Sequence, residues 1–176
     1  MKELLFNHVA TRGQLEQANI ADGMAWLKKQ KSPDILTERL VRDLHKRLFG
    51  QVWKWAESCL KTENNIGIDS LQIVIELRHL LDDACYWIEH QTYLPMELAA
   101  RFHHKLLLIH PFPNRNGRHL RIIADAMLTK LMGEPAIDWA GGYKLKNMNE
   151  RRDQYIAALR ATDKHDFSKL LEFVGA

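Results

Sequence analysis

His110, Asn114, Asn116, Gly117, Arg118 and Arg121 stand close together in the run IHPFPNRNGRHLR. Histidine is the side chain best suited to exchanging a proton near neutral pH. Two arginines three residues apart on a helix share a face and keep their charge at any ordinary pH. Between the histidine and the arginines lie Pro111 and Pro113, which forbid a continuous helix. His110 must therefore close one helix, and the next must open soon after Pro113. The first amides of a helix lack internal partners and point outward, at the positive end of its dipole. Asn116 reads as the cap of that start, and Gly117 as the place where a ligand comes close to the backbone. Arg118 and Arg121 read as cations for several phosphates. A proton acceptor facing a polyphosphate site suggests transfer of a nucleotidyl or phosphoryl group onto a hydroxyl. The spacing is not that of a Walker loop.

A metal-hydrolase reading of His103, His104 and His110 is weaker. Adjacent residues on a helix point about 100° apart, so His103 and His104 do not readily share one ion. The spacing predicts one of them at the edge of the core and the other in solvent.

The elements that position these residues follow from periodicity. Leu36, Leu40, Leu44 and Leu48 predict an amphipathic helix over 34–49, and Leu71, Val74, Leu77, Leu81, Ala84 and Ile88 a second over 71–90. Pro95 suits the first turn of a third helix, whose face carries Leu98, Phe102, Leu106 and Ile109. A fourth runs from Asn116 or Gly117 to Met132, closed by Gly133 and Pro135. Weaker helical patterns cover 13–31, 149–161 and 166–173. KTENNIGID is too polar and turn-rich for a helix and reads as a short hairpin or flap. Trp53, Trp55 and Trp87 read as plugs of the core or its edge. The fold class is all-α with one small extended excursion, over a single domain spanning 1–176.

Composition narrows the partners. The net charge of +3 and the scattered basic residues do not favour nucleic acid. Two cysteines, Cys59 and Cys85, imply no disulfide framework, and the N-terminal residues lack the apolar stretch of a signal peptide. No apolar run approaches a membrane span. A cytoplasmic protein is expected.

HPFPNRNGRHLR resembles the signature of Fic-domain proteins, His-x-Phe-x-[Asp/Glu]-Gly-Asn-[Gly/Lys]-Arg with a second arginine beyond it. LHKRLFGQVWKWA, NIGI, DDACYWIEH and ARFHHKLLLIHPF extend the resemblance over nearly the whole chain, which is most similar to the bacterial branch called mobile mystery protein B. The resemblance implies a Fic-type helical bundle with a small β-hairpin flap. It implies an adenylyltransferase that moves AMP from ATP, with Mg²⁺, onto a hydroxyl side chain of a target protein. His110 would be the general base and Phe112 the anchor of the loop. Asn116 and Gly117 would hold phosphate, with Arg118 and Arg121 on the outer phosphates. Thr62, Asn65, Ile66, Gly67 and Ile68 would form the flap that docks the target as an added strand.

Four positions depart from the family pattern. Asn114 stands where an acidic residue normally holds the magnesium, and Arg115 where glycine is usual. Glu57 and Leu60 replace the glycine and arginine of an upstream Trp-Ala-Gly-x-x-Arg. These departures make a weakly active or inactive Fic-fold binding protein, or a toxin–antitoxin component, the first alternative; a Doc-like protein kinase is the second. Arg115 either crosses the nucleotide cleft or points to solvent, and Glu57 is one candidate partner for it. The family's inhibitory [Ser/Thr]-x-x-x-Glu-[Gly/Asn] is matched in spacing only by Ser168 and Glu172, with Phe173 following. That segment is expected to pack as an ordinary terminal helix, and any inhibitor to be a separate antitoxin chain.

Overall fold

A computed structural model describes residues 9–31, 34–57, 68–140 and 148–176. Seven α-helices follow in order: α1 Val9–Lys28, α2 Glu38–Phe49, α3 Ile73–Glu89, α4 Pro95–Ile109, α5 Asn116–Met127, α6 Met148–Thr162 and α7 Ser168–Val174. A short 3₁₀ turn, Lys54–Glu57, follows α2, and a π turn, Leu128–Met132, continues α5. Among the described residues there is no strand. The expected flap falls mostly outside the described residues. Of its members only Ile68 lies within them, where it packs against the core.

The expected helices are all present, with shifted ends. α2 starts at Glu38 rather than Asp34 because Thr37, in extended backbone, accepts a hydrogen bond from Leu40 N–H at 3.2 Å and so caps the helix. α4 opens on Pro95, whose missing N–H costs nothing in a first turn. α5 gives way to the π turn before Gly133 closes the segment in the left-handed conformation, φ 72°.

The core gathers one face of each of α2 to α5. Leu40, Val41, Leu44, Leu48 and Phe49 from α2 meet Leu77, Leu81 and Ala84 from α3. Leu98, Phe102 and Leu106 from α4 and Leu120, Ile123 and Met127 from α5 complete it. Burying each such side chain stabilises the fold by roughly 1.5–3 kcal/mol. Trp53 lies in this core and Trp55 and Trp87 at its edge, as the sequence suggests. α7 buries Leu170, Phe173 and Val174 and packs on α6 and α4, as an ordinary terminal helix does.

α1 lies along α2 and is pinned over its C-terminal part. Asn19 Nδ2 donates to Arg47 O at 2.6 Å, and Asn19 Oδ1 accepts from Gln51 N–H at 3.0 Å. Gly23 permits the close approach, since a Cβ there would fall 2.8 Å from Leu48 and 3.1 Å from the Arg47 carbonyl. Beyond the helix end, Lys130 Nζ donates to Lys28 O at 3.0 Å and Gln30 O at 2.8 Å, a cation where the dipole favours one. No helix among the described residues is long and apolar enough to cross a membrane.

Candidate active site

α4 ends where the first proline would break it. His110 caps that end in the left-handed conformation, φ 50° and ψ 58°, its N–H donating to Leu106 O at 3.1 Å. The turn lifts the imidazole out of the helix axis and leaves it half-buried. Burial lowers its pKa below the usual 6.5, against a smaller upward pull from the Leu107 carbonyl. At pH 7 the ring is neutral and able to take a proton.

The loop that follows is held from below. Phe112 is buried and lies flat on His45 of α2, ring centroids 3.8 Å apart with planes 4° from parallel. The two His45 nitrogens face carbonyl oxygens from two other segments: Nδ1 lies 3.0 Å from Ala56 O, and Nε2 lies 3.1 Å from Asn114 O. Asn116 is buried, and it does not cap the helix as its sequence position suggests. It is the first helical residue, and its side chain turns back on the loop: Oδ1 accepts from Phe112 N–H at 3.1 Å, and Nδ2 donates to Phe112 O at 2.6 Å. The amide side chain is thus spent on loop geometry, and what remains for a ligand is its backbone N–H.

Arg115 occupies the N-cap instead, with φ 62° and no side-chain cap. The positive φ explains why glycine is usual at this position, and a non-glycine residue there costs about 1–2 kcal/mol. Its half-exposed guanidinium is paired rather than left to solvent. Nη2 donates to Glu16 Oε2 at 2.8 Å, and the group sits 5.8 Å from the centre of the Trp53 ring. Glu16 also draws in Arg118, whose Nη1 lies 3.6 Å from Oε1. The partner of Arg115 is therefore Glu16 of α1. Of Glu57 the structure describes only the backbone, in the 3₁₀ turn, and Leu60 lies outside the described residues.

Gly117 has open space above it: a Cβ there would meet nothing within 4 Å, and its φ is not positive. Among the described residues no neighbour demands a glycine there. Arg121 is led away from Arg118. Its Nε donates to Gly117 O at 3.0 Å, and its guanidinium lies 5.8 Å over the Tyr155 ring of α6. The two arginines share a helix face, yet one is drawn toward α1 and the other toward α6.

Asn114 was the candidate metal ligand. Its Oδ1 accepts from Arg115 N–H at 2.9 Å, and among the described residues no cluster of three His, Cys, Asp or Glu side chains could hold a metal ion. One neutral oxygen, already shared, falls short of the charged oxygen set a magnesium ion needs. These residues do not make a resident metal site. His103 and His104 are both buried, a correction to the expectation that one is solvated. His103 Nε2 lies 2.6 Å from the Tyr155 hydroxyl oxygen, and His104 Nε2 lies 2.9 Å from Asp163 Oδ1. Burial drives the His103 pKa down to about 3 and that of Tyr155 up to about 12, so both groups are neutral at pH 7. Both histidines are occupied by α6 and the turn after it.

A helix ending in a histidine, a loop stapled by Phe112, and an uncapped helix bearing two arginines match what the motif requires, and the comparison with known families agrees. The model of the Fic/DOC family matches residues 35–128, more than half of the sequence. The chain belongs to the Fic/DOC family. Its curated relatives include the protein adenylyltransferase fic-1 of Caenorhabditis elegans, 27% identical over 108 residues, or 54% of this chain and 20% of that protein. The corresponding protein of Caenorhabditis briggsae is 26% identical over the same length. The chain thus spans about a fifth of the length of the curated relatives it matches.

Among solved structures, a Fic-domain signalling protein from Bacteroides thetaiotaomicron superposes with a TM-score of 0.75 at 20% identity, covering 97% of this chain and 69% of that one. The Caenorhabditis elegans Fic-1 fragment gives 0.72 at 19% identity, over 98% and 50%. BepC from Bartonella tribocorum, solved with bound AMPPNP, gives 0.69 at 15% identity, over 98% and 89%. These likenesses establish the Fic fold well beyond the segment that the family model matches. Three residues around the candidate site escape a reading of the sequence. Glu16 gives no local signal. His45 does: it is a histidine on an apolar helix face, one turn from both Val41 and Phe49. Tyr155 sits on a weakly patterned helix.

Proposed function

We propose that this protein transfers AMP from ATP to a hydroxyl side chain of a target protein. The observation that supports it most is the short loop, held by Phe112, that joins His110, neutral at the left-handed end of α4, to the uncapped start of α5 at Asn116. In this reading the backbone amides of Asn116 and Gly117 meet phosphate, and Arg118 and Arg121 take the outer phosphates once Arg118 leaves Glu16. His110 removes the proton of the target hydroxyl as its oxygen bonds to the α-phosphorus. The bond from that phosphorus to the bridging oxygen breaks, pyrophosphate leaves, and the proton remains on the imidazole. Magnesium, if it serves the reaction, would come with the phosphates of the nucleotide and would supply charge there, and Asn114 would add at most a neutral oxygen. The flap around Thr62, Asn65, Ile66, Gly67 and Ile68 would present the target. ATP and a target protein are the partners of this reading, and a cytoplasmic setting suits it.

The test is transfer from ATP labelled in its adenine and α-phosphate, in a cell lysate, followed by intact-mass measurement of the labelled protein. A gain of one AMP group that disappears with His110→Ala supports the reading. A phosphoryl gain would indicate a kinase. A second reading is favoured by one observation, the pairing of both Arg115 and Arg118 with Glu16. In it the fold is a weakly active component, acting by binding or within a toxin–antitoxin pair. Absence of any gain from a protein that binds a partner stably would select it.

A further inference from the structure

His45 is fully buried on α2, and it touches three parts of the candidate site at once. Its ring face lies on Phe112, its edge meets the ring of His119 on α5 at 5.2 Å, and its two nitrogens face Ala56 O and Asn114 O. Ala56 leads within a few residues into the segment expected to dock the target, and Asn114 stands in the phosphate loop. The Asn114 peptide lies between the stacked Phe112 and the left-handed Arg115, and among the described residues its carbonyl finds its side-chain partner in His45 Nε2. A half-buried carbonyl that loses its donor is not fully re-solvated, so losing the bond carries a cost. That cost, added to the strain at Arg115, would favour a rearranged loop.

We propose that His45 is a positioning residue for the transfer reaction, holding the Asn114 carbonyl through Nε2 so that the start of α5 stays aimed at the phosphates. The inference rests on the AMP-transfer reading for its functional half, while the clamp itself is a property of the free protein. A neutral imidazole has one N–H and both facing groups only accept, so the ring serves one carbonyl at a time. The tautomer with the proton on Nε2 is the one that holds the loop. Packing against Phe112 alone would not need a histidine, because any flat ring would do.

Side-chain length separates the two bonds. An asparagine amide lies as many bonds from Cβ as Nδ1, and a glutamine amide as many as Nε2. His45→Gln can therefore restore the link to Asn114, His45→Asn only the link to Ala56, and His45→Phe keeps the stack and loses both. Each variant is first melted to establish that it folds. Amide hydrogen exchange at Phe112 and Arg115 is then measured without nucleotide, and AMP transfer under saturating ATP. His45→Gln should exchange within about threefold of wild type and keep most of the turnover. His45→Phe and His45→Asn should exchange about tenfold faster or more, the factor that corresponds to one hydrogen bond. Their turnover should fall by a similar factor, with a smaller change in the KM for ATP. If His45→Asn does not fold, the Gln and Phe variants alone decide. Exchange in His45→Phe that matches wild type, or in His45→Gln as fast as in His45→Phe, would overturn the proposal. If the exchange pattern holds while the wild-type protein transfers no AMP, the clamp stands and the transfer reading falls.

Discussion

Glu16 of α1 holds Arg115 and Arg118 at once, one carboxylate oxygen 2.8 Å from the first guanidinium and the other 3.6 Å from the second. The carboxylate is nearly buried and the two cations are half-exposed, so it is the acid that is committed and the arginines that compete for it. Arg118, expected on the outer phosphates of a nucleotide, must exchange this partner for its ligand. Glu16→Ala should therefore strengthen ATP binding. Partly exposed ion pairs are worth about 0.2–1 kcal/mol each, so the gain should be about 1.4- to fivefold, with a stability loss of similar size. Calorimetry decides it: weaker or unchanged ATP binding would mean that Glu16 orients the arginines rather than occupying them.

The arginines themselves should not behave alike. Loss of a charge-assisted contact to phosphate costs roughly 1.5–3 kcal/mol, or about ten- to a hundredfold in affinity. Arg118→Ala and Arg121→Ala should each weaken ATP by that factor and AMP by less. Arg115→Ala should leave ATP binding unchanged or improve it. Arg115→Gly should also relieve about 1 kcal/mol of backbone strain at φ 62°, offsetting the lost ion pair in the melting temperature. An Arg115 variant that binds ATP worst of the three would place that side chain on the nucleotide.

His110→Ala should lower transfer by about 10²–10⁴-fold with the fold intact. The pH profile carries the same assignment. Burial lowers the His110 pKa below 6.5, and the base works only when neutral. The rate should thus be flat at pH 7 and above and fall on acidification through a value below 6.5. A single acid limb centred above pH 7 would assign the proton transfer to another group.

His103 predicts how the fold itself responds to acid. Its pKa falls to about 3 in the folded chain, whereas an unfolded histidine titrates near 6.5. Below 6.5 the unfolded chain binds a proton that the folded one refuses, so stability is complete above that pH and declines as pH falls toward 3. The slope is about 1.4 kcal/mol per pH unit for this one group, or about 2 kcal/mol by pH 5. Denaturant midpoints between pH 7 and pH 5 measure it. A His103→Gln variant should show a shallower decline, and an equal decline would place the acid sensitivity elsewhere.

Much of this was visible in the residues. Pro95 and the recurrence of Leu98, Phe102, Leu106 and Ile109 are local signals, and they define α4 because its burial pattern is set within its own turns. The break at Pro111 and Pro113 is steric and equally local. Arg115 was harder. That a non-glycine would be strained there follows from the backbone, but its partner Glu16 lies 99 residues away, and no periodicity links two helices so distant in the chain. The histidines failed for a related reason. Their separation of about 100° around α4 is correct, but both directions lead into protein, because α6 and the turn after it cover both.

α1 is fastened to its neighbours at Asn19, at Gly23 and beyond Lys28, all on one side of Glu16 along the chain. The helix therefore need not depart for Arg118 to change partner; that half-exposed side chain has only to turn about its own bonds. Rotamer changes of exposed side chains take picoseconds to nanoseconds, whereas collective helix or domain movements take microseconds to milliseconds. Exchange of a guanidinium between Glu16 and an incoming phosphate would then be fast compared with any enzymatic turnover, and nucleotide arrival would show no separate slow opening phase.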